Sequence, residues 1–159
     1  MERVPPAPFE VREKEERERE REREMSLRVG LYVAWALGEE NARELHERIG
    51  GRVSPVVQPE DGGVRLPYAW YFCSGIQEAT TKDGFCGDEC QVEIEVVARS
   101  YTEMIELAQM VRDAMSRGMA GWQSDAFSVS EQTMSAGPEE YDDNMQAYCR
   151  RLIYRIETV

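Results

Sequence analysis

The sequence predicts an α+β fold, in which a small, largely antiparallel sheet is packed by one long helix and preceded by a helical segment. Residues 91–96 alternate, with Val92, Ile94 and Val96 on one side and polar residues on the other, which is the period of a half-buried strand. From Tyr101 the apolar period changes to 3.6, as in an amphipathic helix. A strand that leads directly into such a helix predicts that the helix lies on the sheet.

The long helix has a start signal of its own. Ser100 and Glu103 form a capping box, in which the Ser100 hydroxyl accepts a hydrogen bond from the backbone N–H of Glu103. The apolar stripe that we expect to face the sheet consists of Tyr101, Met104, Ile105, Ala108, Val111 and Met115.

Two shorter helical segments are predicted before the sheet. The first carries apolar residues at helical spacing: Leu27, Leu31, Ala34 and Trp35. The second spans residues 41–49 and stops at Gly50 and Gly51, since glycine readily adopts the left-handed conformation that ends helices.

Further strands are predicted on both sides of the central strand and helix. Residues 53–57 form a short extended piece, and the aromatic segment 68–73 alternates as a strand. Residues 74–88 are polar and contain glycines, which predicts a loop or a long hairpin tip.

The C-terminal part predicts a closing hairpin. A strand is expected around residues 126–133, followed by an acidic turn at 135–144 and a final strand at 146–156. One face of the final strand carries Tyr148, Leu152, Tyr154 and Ile156.

Residues 1–24 differ in composition from the rest of the chain. They begin with prolines and continue as almost pure Glu and Arg, with little to bury, so we expect a frayed helix or a disordered arm. An arm that binds a specific partner is the alternative, and Met25 as the natural start is a third interpretation. Residues 25–159 are expected to form a single α+β domain.

The charge balance excludes some functions. Asp and Glu outnumber Lys and Arg 31 to 19, for a net charge of −12, so binding to nucleic acid through counterion release is disfavoured. No apolar run of membrane-spanning length and no signal peptide is present, so we expect no membrane partner and synthesis in the cytoplasm. The four cysteines are then expected to be reduced thiols.

No catalytic motif is present, and we predict no enzyme activity, no cofactor and no metal. His46 is the single histidine and has no nucleophile adjacent in sequence. Cys86 and Cys90 have the spacing C-x3-C, but a closed zinc site needs four ligands, and Cys73, Cys149 and His46 lack a paired spacing. Neither a phosphate loop nor a nucleophile elbow occurs.

Several segments together resemble the tail-completion, or tail-terminator, family of long-tailed bacteriophages. GRVSP at residues 51–55 resembles the family's first strand, and LPY at 66–68 resembles the next. VEIEVVA at 92–98, with the following cap and helix, resembles its best-marked segment, and RRLIYRIE at 150–157 resembles its closing strand. Val97 departs from the pattern, since an aromatic residue is commoner there.

The resemblance implies a structural virion protein that caps the tail tube, ends its polymerisation and forms part of the head–tail joint as a hexameric ring. The implied partners are further copies of the chain, the tail tube protein and a head connector or neck protein, with DNA passing through the pore without specific binding. The alternatives are a head-completion or neck protein, an acidic regulator that binds a basic protein, and a thiol enzyme centred on Cys86 and Cys90. The candidate interface residues are Tyr71, Glu139, Glu140, Tyr141, Asp142 and Asp143.

Overall fold

The computed structural model describes residues 8–55, 65–81 and 84–159, and for residues 77–81 and 84–88 it describes the backbone alone. The helices are α1 (Pro8–Ala36), α2 (Arg43–Arg48) and α3 (Tyr101–Gly121). The strands are β1 (Val53–Pro55), β2 (Tyr68–Thr81), β3 (Gly84–Ala98), β4 (Val129–Asp142) and β5 (Ala147–Thr158). They form one sheet in the order β1-β2-β3-β5-β4, in which only the β1–β2 pair is parallel. The predicted α+β class is confirmed.

Strand β3 lies at the centre of the sheet, as its alternating sequence predicts. Val92, Ile94 and Val96 are at most 1% exposed and point towards α1 and α3, which pack on the same face. Hydrogen bonding to β2 on one side and β5 on the other pairs the backbone of β3 along its length.

Helix α3 begins at the predicted cap and buries four of the six residues of the predicted stripe, Met104, Ala108, Val111 and Met115. The Ser100 Oγ accepts from the Glu103 N–H at 3.1 Å. Tyr101 and Ile105, which were expected to face the sheet, are 46% and 43% exposed, and Leu107 and Ala114 are buried instead. Tyr101 and Ile105 are exposed because α3 packs mainly on β3 and β5, and the side of the helix that faces β4 makes few contacts with the sheet.

Of the apolar residues noted at helical spacing on α1, Trp35 is half-buried and packs against the core, whereas the other three do not. Leu27, Leu31 and Ala34 are exposed, and the residues in the core are Met25, Val29, Tyr32, Val33 and Ala36. Tyr32 donates to the Gln132 side chain at 2.6 Å and packs edge-on against Trp122, and these contacts hold α1 with this face inward. Residues 8–24 continue this helix towards the N-terminus with exposed side chains, apart from the half-buried Arg21.

Strand pairing extends further than turn-like composition suggested. Much of the segment 74–88 belongs to the β2–β3 hairpin, and residues 135–142 belong to β4, so the acidic turn is confined to residues 143–146. Pairing with β5 supplies hydrogen bonds that outweigh the turn preferences of Gly137 and Pro138. A register shift between Ala136 and Glu139 accommodates this pair.

A second, smaller apolar cluster lies on the sheet face away from the helices. It consists of Tyr68, Val97, Ala147 and Cys149, with Trp70 packed against it. Val97 is fully buried here. None of the helices in the described ranges combines the length and hydropathy needed to cross a membrane.

Candidate interaction surfaces

A groove opens between the outer side of α1 and the edge of the sheet formed by β1 and β2. We call it the α1 groove; its volume is about 460 Å³. Leu27, Leu31 and Ala34 form its helical side, and Pro55 and Phe72 form its strand side. Leu27 and Leu31 are 63% and 64% exposed, so α1 presents an apolar stripe that no described residue covers.

A second apolar surface lies at the opposite edge of the sheet. It comprises Tyr101 and Ile105 of α3 and Tyr141 of β4, which are 46%, 43% and 49% exposed, and we call it the α3–β4 patch. Next to it, a smaller groove of about 140 Å³ runs between α3 and the strands β4 and β5, with Arg112 at its rim. Five of the eight large apolar side chains exposed in the described ranges therefore lie in the α1 groove and the α3–β4 patch.

Hydrogen bonds and aromatic contacts hold the α3–β4 patch in place. The Tyr101 hydroxyl donates to Glu139 at 2.6 Å, and Arg150 donates to the other carboxylate oxygen of Glu139. Tyr148 packs edge-on against both Tyr101 and Tyr141. The hydrogen bond to Glu139 raises the pKa of Tyr101 above its ordinary value.

The six residues expected at an interface do not share one surface, because five of them, 139–143, alternate between the two sheet faces and the turn that follows β4. Glu139 and Tyr141 lie in the α3–β4 patch, while Glu140 lies on the opposite sheet face. Asp142 accepts from the backbone N–H groups of Asn144 and Met145 at 2.9 and 3.0 Å and thereby shapes the turn, in which Asp143 is exposed. The sixth, Tyr71, is 8% exposed and lines the α1 groove on β2.

Sequence reasoning did not identify Leu27, Leu31, Tyr101 and Ile105 as surface residues. Tyr101 and Ile105 were expected to face the sheet, and Leu27 and Leu31 were noted only as apolar residues at helical spacing. A signal for α1 was present: the helix has apolar residues on two faces, and one helix on a small sheet can bury only one of them.

The sheet face away from the helices is acidic. Its described acidic side chains are Glu89, Glu93, Glu95, Glu131, Glu140, Asp142 and Glu157. Arg151 reaches Glu95 at 2.8 Å and Glu93 at 3.5 Å, and Arg155 lies 3.9 Å from Glu89. Desolvation is the largest cause that raises the pKa of Glu157, and the neighbouring carboxylates Glu131 and Glu89 add to it.

Of the candidate chemical groups, Cys73 and Cys90 lie next to each other on β2 and β3, whereas Cys149 and His46 lie elsewhere. Cys90 is fully buried on β3, and Cys149 lies in the small cluster on the other face of the sheet. His46 lies on α2 beside Gly51, while the side chain of Cys86 falls outside the described residues. Within the described ranges, no three metal-ligating side chains come together.

No family model and no curated protein sequence matches the chain. Among solved structures, a chain of the virion of a native gene transfer agent (GTA) particle is similar, with a TM-score of 0.59 and 16% sequence identity. The alignment covers 79% of this protein and 90% of that chain. The two chains share a fold.

Proposed function

We propose that this protein is a non-enzymatic structural component of a phage-like virion. The observation that carries the proposal is the fold shared with a chain of a gene transfer agent virion over most of both chains. Two exposed apolar surfaces at opposite sheet edges support it, because surfaces of this kind mark protein–protein contacts.

Within the virion, we assign the protein to the end of the tail tube. The sequence resemblance to tail terminators supports a ring, six copies in that family, that caps the tube, ends its polymerisation and meets the head connector. The acidic sheet face is compatible with this position, since negative charge near a channel repels DNA phosphates and lets DNA pass. A head-completion or neck protein would use the same ring architecture.

Negative-stain imaging and sedimentation velocity of the purified protein, alone and mixed with its tail tube protein, test this assignment. We expect a ring that binds the end of the tube and stops its growth. A ring that binds the connector and ignores the tube would favour the neck protein. A protein that neither forms rings nor binds either component would contradict a role in the virion joint.

The acidic sheet face favours one alternative from another class, a regulator that binds a basic protein. Such a regulator would be monomeric alone and would bind its partner more weakly as salt rises, because ionic contacts are screened. Sedimentation with a basic partner at two salt concentrations separates the two functions.

A further inference from the structure

We propose that α1 of one copy docks on the α3–β4 patch of a second copy, with α1 antiparallel to the neighbour's α3. This inference deepens the proposed function, since it names the two surfaces that would join neighbours in the ring. The occupant of the α1 groove is therefore another copy of this chain.

The positions of the two surfaces suit a head-to-tail contact. The α1 groove lies at the β1–β2 edge of the sheet, and the α3–β4 patch lies at the β4 edge. Both are on the side of the sheet that carries the helices, because α1 and α3 pack into one core. Copies placed side by side with their helical layers on the same side therefore bring one surface against the other.

The face of β4 that lies on the helical side of the sheet has room for another helix. Helix α3 covers β3 and β5 and reaches β4 only marginally, which leaves Ile105 and Tyr141 exposed beside a shallow groove. On helix α1, Leu27 and Leu31 form a matching apolar stripe that no residue of the described ranges covers. Docking the stripe beside β4 would extend the helical layer across the edge strand of the next copy.

Charge and spacing complement each other along the two helices. On α1, exposed Glu20 and Glu24 precede Leu27 and Leu31 by seven residues each, on the same side of the helix. On α3, Arg112 follows Ile105 by seven residues and makes no ion pair within the described ranges. Seven residues correspond to about 10 Å of helix. In an antiparallel pair, the leucines of α1 meet Ile105 while Glu20 meets Arg112; Glu24 already pairs with Arg28 at 2.6 Å.

This contact is heterologous, because each copy uses two different surfaces. Heterologous contacts produce rings when the rotation between copies closes and open filaments when it does not. The contact therefore supplies the repeating step that a ring requires.

Two single variants, each damaging one surface, test the contact. Leu31→Asp disables the α1 stripe, and Ile105→Asp disables the α3–β4 patch. Each variant alone should self-assemble with an association constant at least tenfold lower than that of the wild type. An equimolar mixture should form a dimer that cannot grow, since each copy retains one intact surface. Phe9→Asp, which changes an exposed residue outside both surfaces, is the control and should assemble like the wild type.

A charge exchange tests the antiparallel register. Arg112→Glu or Glu20→Arg alone should weaken assembly by up to about fivefold, the range of an exposed ion pair, and the two together should restore it. Circular dichroism verifies that each variant is folded.

The outcomes separate this contact from the proposed function. If the wild type forms a ring on the tube and both Asp variants do so equally well, the docking is wrong and the virion role stands. If the Asp variants fail to assemble and the mixture gives the dimer, but no ring binds tube or connector, the docking stands and the virion role is wrong. A mixture that stays monomeric while the wild type assembles overturns the heterologous contact.

Discussion

At the scale of single residues, Gly118 marks the closest approach of α1 and α3. A Cβ added there would lie 2.9 Å from the Cβ of Ala36, so a larger residue must push the helices apart. We predict that Gly118→Ala lowers the free energy of unfolding by about 1–2 kcal/mol, because overpacking exceeds the gain in helix propensity. Urea denaturation measures the change.

Gly30 in the middle of α1 provides the matched control. A Cβ added at Gly30 meets nothing within 4 Å, so Gly30→Ala should stabilise the protein by about 0.5–1 kcal/mol. Equal effects of the two substitutions would mean that the helices do not pack closely at Gly118.

A second prediction at this scale concerns Cys73, which lines the α1 groove. A hydrogen bond from the Cys90 thiol lowers the pKa of Cys73, whereas burial raises the pKa of Cys149 to about 11. The thiolate is the reactive form, so at pH 7 and at protein concentrations that keep the chain monomeric, iodoacetamide should modify Cys73 well before Cys149. Mass spectrometry of peptides follows both sites.

Replacing the neighbouring thiol tests the cause of this reactivity. In the Cys90→Ala variant, Cys73 loses its hydrogen-bond donor, and its alkylation at pH 7 should slow. An unchanged rate would show that Cys90 does not set the pKa of Cys73.

At the scale of elements, sequence periodicity predicted which segments form helices and strands. It was less successful in predicting which face of each helix is buried. The alternation of Val92, Ile94 and Val96 requires only that one face be buried, and the local capping box at Ser100 needs no tertiary information. The buried face of α1 depends on distant partners: Gln132 for Tyr32 and Gly118 for Ala36. The sequence of α1 shows that one of its two apolar faces must remain exposed, but no pattern within the helix identifies which face that is.

The N-terminal half of α1 leads to a third prediction. Residues 8–24 are helical, but their side chains bury almost nothing, whereas Met25 is 1% exposed. Deletion of residues 1–24 should therefore reduce the helical circular dichroism signal and leave the melting temperature nearly unchanged. A fall of many degrees would mean that these residues dock on the domain.

At the scale of the whole molecule, the net charge of −12 opposes assembly of identical copies. Salt screens this repulsion, with a Debye length of roughly 10 Å at 0.1 M and roughly 3 Å at 1 M. Apolar contacts through Leu31 and Ile105 should outweigh exposed ion pairs of about 0–1 kcal/mol, so we predict that assembly strengthens as salt rises. Sedimentation velocity at about 0.05 and 0.5 M sodium chloride and equal protein concentration tests the sign.

The opposite sign would have a clear structural meaning. Dissociation on adding salt would indicate that Glu–Arg pairs, such as the one proposed between Glu20 and Arg112, dominate the contact.

The continuity of α1 has a mechanical consequence. Residues 8–24 leave the domain as an unbroken helix, so they extend about 25 Å at 1.5 Å per residue. A flexible linker of the same length would let its end sample many distances, whereas a helix holds its end at one distance and in one direction. The helix therefore holds Phe9 and Val11, which are both exposed near that end, at a fixed distance from the rest of the domain. In a closed ring, the N-terminal helices of all subunits would project at the same angle, and their ends would form a circle of fixed diameter.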